Sequence, residues 1–262
     1  MKAFFSAVVI AGFFAAAPAC AQELKGAEPK PADRACDVPA DLLAVGDITL
    51  EKVARAVKDT RALDVLVVGS GSSSLASPDG ALTAYPARLE ASLREKLPGV
   101  AVTVTTKLQP KRTAEDVVET LSALVIERKP NLLVWQTGTV DAIRAIHLDD
   151  FRNALDEGTA AVKAAGTDVV LMNLQYSPRM ETMIPTSPYL DNIRAVAQQQ
   201  DVPLFDRYAI MQNWNETGEF DLSNSSRSFA LAKGVHDCLG QALANLVISA
   251  ARLDPAEPKV QN

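Results

Sequence analysis

Histidine, cysteine, aromatic residues and net positive charge are all scarce in this sequence. Only two histidines, His147 and His236, occur in 262 residues, so imidazole chemistry has two addresses at most. Cys and His show no zinc spacing, and no acidic loop carries a calcium-ligand pattern, so the sequence gives no basis for a metal or another cofactor. The 26 Lys and Arg are outnumbered by 32 Asp and Glu, leaving a net charge of −6 and no basic footprint for nucleic acid or an anionic membrane surface. Beyond the N-terminus no uninterrupted apolar run is long enough to cross a bilayer, and no internal repeat is evident. What is present is a 48 % hydrophobic chain, enough for one well-buried α/β domain. Its ligand is expected to be a small molecule or carbohydrate; the sequence names no protein partner.

The first residues, MKAFFSAVVIAGFFAAAPACAQ, place Lys2 before an apolar stretch that ends in small residues, the layout of a secretory signal. Ala19-Cys20-Ala21 fits a small-x-small cleavage site, giving a signal peptide over 1–21 and a periplasmic or secreted mature chain. Lipidation at Cys20 is the less favoured alternative, because Pro18 precedes it closely and no Leu lies upstream. Removing Cys20 leaves Cys36 and Cys238. An even pair in an exported protein reads as a disulfide, with two unrelated buried thiols as the alternative. Residues 22–48 are an N-terminal extension, opening in polar, proline-bearing sequence; the domain is expected over 49–254, with a tail over 255–262.

Apolar spacing predicts a first helix over Thr49–Leu63, after which strands and helices alternate. Strands are expected at Val65–Val68, Val100–Thr105, Leu132–Gln136, Asp168–Asn173 and Pro203–Phe205. Helices are expected at Tyr85–Leu97, Ala114–Glu127, Phe151–Ala165, Pro188–Gln200 and Cys238–Arg252. Alternation of this kind implies a mostly parallel sheet covered on both faces, a three-layer α/β/α, flavodoxin-like arrangement. Ligands then sit at the carboxyl ends of the strands, an edge that collects Gly69–Ser74, Lys107–Lys111, Thr137–Asp141 and Asn173–Arg179. Asn173, Gln175, Tyr176 and Arg179 gather at one strand end as polar ligand-binding candidates.

The stretch DVLVVGSGSSSLASPDG, 64–80, runs a strand into glycines and serines. It lacks the Lys-Ser/Thr pair of a phosphate-binding loop, has Ser74 where a dinucleotide fingerprint needs glycine, and breaks the G-x-S-x-G elbow. The stretch instead resembles the nucleophile block of the SGNH/GDSL hydrolases. VWQTGTVDA at 134–142 resembles that family's oxyanion block. AAGTDVVLMNLQYSPR, YLDNIRAVAQQQDVPLFDRYAIMQNW and HDCLGQALANLV are similar to an exported bacterial branch of it.

The resemblance implies an SGNH-hydrolase fold and a serine nucleophile, with oxyanion donors from glycine and asparagine and an Asp-x-x-His base near the C-terminus. The catalytic motifs are degenerate. In the ungapped register the nucleophile position is Gly71; a two-residue shift makes it Ser73, with Ser72 as the alternative, while hydroxyls that merely satisfy a turn are the structural reading. LQPKRTAED at 108–116 has no block glycine, leaving the amides of Gln109 or Lys111. Val140 replaces the asparagine. The family's histidine and aspartate positions fall near Ala230 and Arg227. His236 is then the candidate base, with Asp237 or Asp221 to orient it, although a surface or helix-cap role is favoured for it. Gly71, Gly138, Asn173 and Gln175 are candidate oxyanion or binding residues. The expected function is a weakly active or inactive SGNH relative serving as a periplasmic binding or accessory protein. The alternative is an active serine esterase removing small O-acyl or acetyl groups from a carbohydrate or lipid.

Overall fold

The structure, a computed structural model, describes residues 36–223 and 228–253. The expected signal peptide, most of the linker, Arg227 and the tail lie outside the described residues. A 3₁₀ turn at Ala40–Leu43 leads to α1 (Glu51–Arg55), which loosens into a π turn at Ala56–Thr60. Arg61, in the left-handed region at φ 54°, ends that turn, and β1 (Ala62–Gly69) begins at once. Leu63 therefore belongs to β1 and not to the first helix. Its spacing fits a helical stripe, but its burial comes from the sheet.

The remaining elements are α2 (Gly80–Thr83), α3 (Tyr85–Lys96), β2 (Ala101–Leu108), α4 (Ala114–Arg128) and β3 (Leu132–Gln136). They are followed by α5 (Thr139–Arg144), α6 (Leu148–Ala164), β4 (Asp168–Met172), α7 (Pro178–Met183) and α8 (Ser187–Gln199). The described chain closes with β5 (Leu204–Phe205), α9 (Arg207–Glu216) and α10 (Phe229–Ala250). All four strand pairings are parallel, in the order β2-β1-β3-β4-β5. In this doubly wound order the chain reverses direction between β1 and β3, which opens a crevice beyond their carboxyl ends. Gly69 and Gln136 are the last residues of those two strands.

Strands β1 and β3 are the apolar centre: Val65–Val68 and Leu132–Trp135 are buried, and helices close on them where side chains are absent. A Cβ at Gly158 on α6 would stand 2.7 Å from the Trp135 ring. At Gly240 on α10 a Cβ would meet the α3 backbone at 2.8 Å, so that glycine lets α10 lie directly against α3. His236 is one turn before Gly240 on the same helix face, so this approach carries its imidazole to the start of α3.

The closing helix begins nine residues before the expected Cys238, because Ser228 caps it by accepting from the Leu231 amide at 3.1 Å. His236 is thus inside α10 rather than ahead of it. Helix α6 likewise starts at Leu148, with Asp149 and Asp150 in its first turn, where acids complement the helix dipole. Four short helices the spacing did not reveal are α2 and, each following a strand end, α5, α7 and α9. The helices α2, α5 and α7 carry too few turns to show a periodic apolar stripe, whereas α9 buries Tyr208, Ile210, Met211 and Trp214 at helical spacing.

Candidate functional site

Beyond β1 the chain makes one 3₁₀ turn, Gly71–Ser73, that sends consecutive serines into different surroundings. Ser73 is 2 % exposed. Its hydroxyl donates to Gln136 Oε1 at 2.5 Å, and with its only proton so used it accepts from the Tyr85 hydroxyl at 3.0 Å. Gly69 has to be a glycine because a Cβ there would run into Ser73 Oγ. Gln136 serves the whole turn: its Oε1 also accepts from the Ser70 amide at 3.3 Å, and its Nε2 donates to Ser70 Oγ at 3.1 Å. Ser72 is half-buried, 3.3 Å from Ser70 Oγ, and turns toward Arg207. Gly71 is exposed, and a side chain there would meet nothing within 4 Å.

His236 meets the same tyrosine from α10. Its Nδ1 accepts the backbone N–H of Tyr85 at 2.9 Å, capping the first amide of α3. A neutral imidazole that accepts at Nδ1 carries its proton at Nε2. Burial, and secondarily the Arg207 guanidinium, push its pKa down to about 4, so the ring is neutral at physiological pH. Among the described residues no hydrogen bond joins His236 to a serine or a carboxylate. Asp237, adjacent in sequence, points elsewhere, as successive helical residues do: its carboxylate pairs with Lys233 at 2.6 Å and Arg88 at 2.8 Å. Asp221 is engaged locally, accepting from the Ser223 amide.

Arg207 is the residue that sequence reasoning passed over. It opens α9 directly after β5 and is 1 % exposed. Its two terminal nitrogens donate to Ser72 Oγ at 3.4 and 3.5 Å, and its buried Nε has no partner. Asn173 fixes the segment on both sides of it, donating to Asp206 Oδ1 at 2.7 Å and accepting from the Tyr208 amide at 2.9 Å. Desolvation pushes the Arg207 pKa down to about 10, which leaves it charged at neutral pH. A short strand followed by Asp-Arg at the carboxyl edge is the signal that could have revealed it. Gln136, a lone polar residue ending the apolar run LLVWQ, is another.

The remaining sequence-predicted residues are dispersed. The Gln109 amide is engaged by the Gly69 carbonyl at 2.7 Å, and Val140 sits in the first turn of α5 with no side-chain donor to offer. A crevice between Gly69, Gln109 and Gly138 encloses only about 10 Å³, room for no more than a single water. Gln175 is half-buried just after β4, and Ala230 is exposed near the start of α10. Gly138 precedes α5 at φ 90°, and a Cβ there would approach Leu174 Cδ1 at 2.6 Å and Ile193 Cδ1 at 2.9 Å. Gly138→Ala is therefore expected to destabilise the fold by about 2 kcal/mol through left-handed strain and overpacking. Urea unfolding would check this; an unchanged midpoint would remove the steric argument.

Five parallel strands wound about a β1–β3 switch, with a serine turn beyond β1 and a last helix whose histidine caps α3, define an α/β fold of the SGNH/GDSL hydrolase class. The profile of the Non-GDSL lipase-like family matches residues 35–253, and the chain belongs to that family. Among solved structures, TesA is similar at 21 % identity and a TM-score of 0.58, over 71 % of this chain and 99 % of that one. A catalytic mutant of Axe2, an acetylxylan esterase from Geobacillus stearothermophilus, is similar at 19 % identity and a TM-score of 0.58, over 71 % and 94 %. A putative G-D-S-L lipolytic protein from Desulfitobacterium hafniense is similar at 16 % identity and a TM-score of 0.52, over 70 % and 98 %. No curated protein is a significant match. At these identities the solved structures establish the shared fold and leave the chemistry to the site itself.

Proposed function

We propose that the protein is an exported SGNH-fold binding or accessory protein whose ester-hydrolase apparatus is degenerate. The observation that carries this reading is the hydrogen bond from the Tyr85 amide to His236 Nδ1. A general base for a serine needs a free lone pair at Nε2 and a proton at Nδ1 held by a carboxylate. His236 has the opposite tautomer and no carboxylate partner. Its pKa near 4 weakens it further as a proton acceptor. The burial of Ser73, the absence of a side-chain donor at Val140 and the narrowness of the crevice beside Gly69 support the same reading. Loss of one oxyanion donor alone lowers a rate by about 10²- to 10³-fold.

Export is supported by the signal-like first 21 residues and by the Cys36–Cys238 disulfide. Among the described residues no helix is long and apolar enough to cross a membrane. The ligand is a small molecule or carbohydrate bound at the carboxyl edge of the sheet.

Hydrolysis of p-nitrophenyl acetate by the purified mature chain tests the reading, with no enzyme-dependent turnover expected. Robust turnover that Ser73→Ala or Ser72→Ala abolishes, and that His236→Ala abolishes as well, would establish the alternative. The protein would then be a serine esterase acting on small acyl groups, the class of reaction that Axe2 is named for.

A further inference from the structure

We propose that Ser72, backed by the Arg207 guanidinium, forms an oxyanion subsite that receives the anionic group of a ligand. The inference deepens the binding reading above, on which it rests, by naming the chemistry of what is bound. Arg207 is 1 % exposed, yet no salt bridge reaches it among the described residues. Its Nε is buried without a partner, and its two terminal nitrogens share a single neutral acceptor, Ser72 Oγ, at 3.4 and 3.5 Å. Both distances are long for a charge-assisted bond, so the guanidinium is under-satisfied where it stands.

A buried cation without a counterion is costly, and it persists in a fold when something supplies the missing charge. Among the described residues, the acidic group that acts on Arg207 is the Tyr85 phenol, which burial holds in its neutral form. The carboxylates next in sequence to Arg207 and His236 are committed: Asp206 to Asn173 and Arg194, and Asp237 to Lys233 and Arg88.

Ser72 carries the deficit outward. Its oxygen accepts from Arg207 and can accept the Ser70 proton at 3.3 Å, since Ser70 Oγ is already an acceptor for Gln136 Nε2; the Ser72 proton, whose bond to Gln136 Oε1 is a long 3.5 Å, is then the group left to offer a ligand. The same guanidinium acts on the His236 ring, whose Nε2 proton has no hydrogen-bond partner among the described residues. Donors backed by a fixed positive charge, with no competing carboxylate, suit a carboxylate, sulfate or phosphate oxygen. A neutral ester carbonyl would leave the charge uncompensated.

Thermal-shift and calorimetric titrations of the mature chain with acetate, glucuronate, inorganic phosphate and sulfate, against chloride at equal ionic strength, test the proposal. Saturable binding of at least one oxyanion is expected, with carboxylates and tetrahedral anions compared to identify the source. Ser72→Ala should weaken it by about tenfold or more with an unchanged far-ultraviolet spectrum. Arg207→Met should abolish it while raising the melting temperature of the unliganded protein, an outcome that a merely structural arginine would not give. No oxyanion response beyond chloride, or binding that survives both substitutions, would overturn the subsite. The p-nitrophenyl acetate assay separates the two levels. Absent turnover together with absent anion binding defeats the subsite and spares the binding reading, whereas triad-dependent turnover defeats the reading itself.

Discussion

Reducing the Cys36–Cys238 disulfide is expected to destabilise the protein by about 4–5 kcal/mol, most of a typical domain stability of roughly 5–15 kcal/mol. The bond joins residues 202 apart in sequence, so it removes the loop-closure freedom of nearly the whole chain from the unfolded ensemble. Native contacts act with it. Cys238 is buried on α10, and the segment beside Cys36 is held where Trp214 Nε1 donates to the Asp37 carbonyl at 2.7 Å. Reduction frees the 36–43 strap to leave the core without breaking any strand pairing. Urea unfolding with and without reductant measures the effect. The midpoint should fall sharply with little loss of native secondary structure before the transition, and coincident curves would show that the cross-link does not restrict the unfolded state as argued.

Acidification through the range in which histidine ordinarily titrates should cost up to about 3 kcal/mol at His236 alone. The sign follows from the depressed pKa. The folded protein holds the group near 4, through burial first and Arg207 second, whereas the unfolded chain holds it near 6.5. Between those values the unfolded state binds more protons, so this contribution is complete above about pH 6.5 and is lost as pH falls toward 4. Replacing the ring by an amide isolates it. His236→Asn keeps an acceptor for the Tyr85 amide and removes the titration, so its stability profile should be flatter than that of the natural protein from pH 7 to pH 4. Parallel profiles would mean that the ring is not desolvated as its contacts imply.

The architecture was largely legible in the sequence, and the site was legible only in part. Runs such as VLVV and LLVW are apolar on successive residues, which in a chain alternating with amphipathic helices leaves a doubly covered parallel sheet as the arrangement that buries them. The boundaries of α3, α4, α8 and β3 followed within a residue or so because each has several turns or a full buried run behind it. Errors fell where a local device overrode spacing: the left-handed Arg61 that ends the first helical segment at β1, and the Ser228 cap that starts α10 early. Ser72, Ser73 and His236 could be singled out from the sequence, but their hydrogen-bond partners could not. Gln136, Tyr85 and Arg207 lie tens of residues away, and nothing in one dimension indicates that a strand end, a helix start and a post-strand arginine converge.

By itself the sequence determined the layered fold and offered Cys36 and Cys238 as a disulfide pair, since these depend on pattern and parity, while it left the register of glycines and serines beyond β1 open between Gly71 and Ser73. The tertiary structure decided which atoms face one another. Gly240 lets α10 lie against α3, so that His236 Nδ1 caps the Tyr85 amide and its proton moves to Nε2. Asn173 holds the segment that sets Arg207 behind Ser72. A proton's position and an unpaired charge are properties of distances between remote parts of the chain, and only packing fixes those distances.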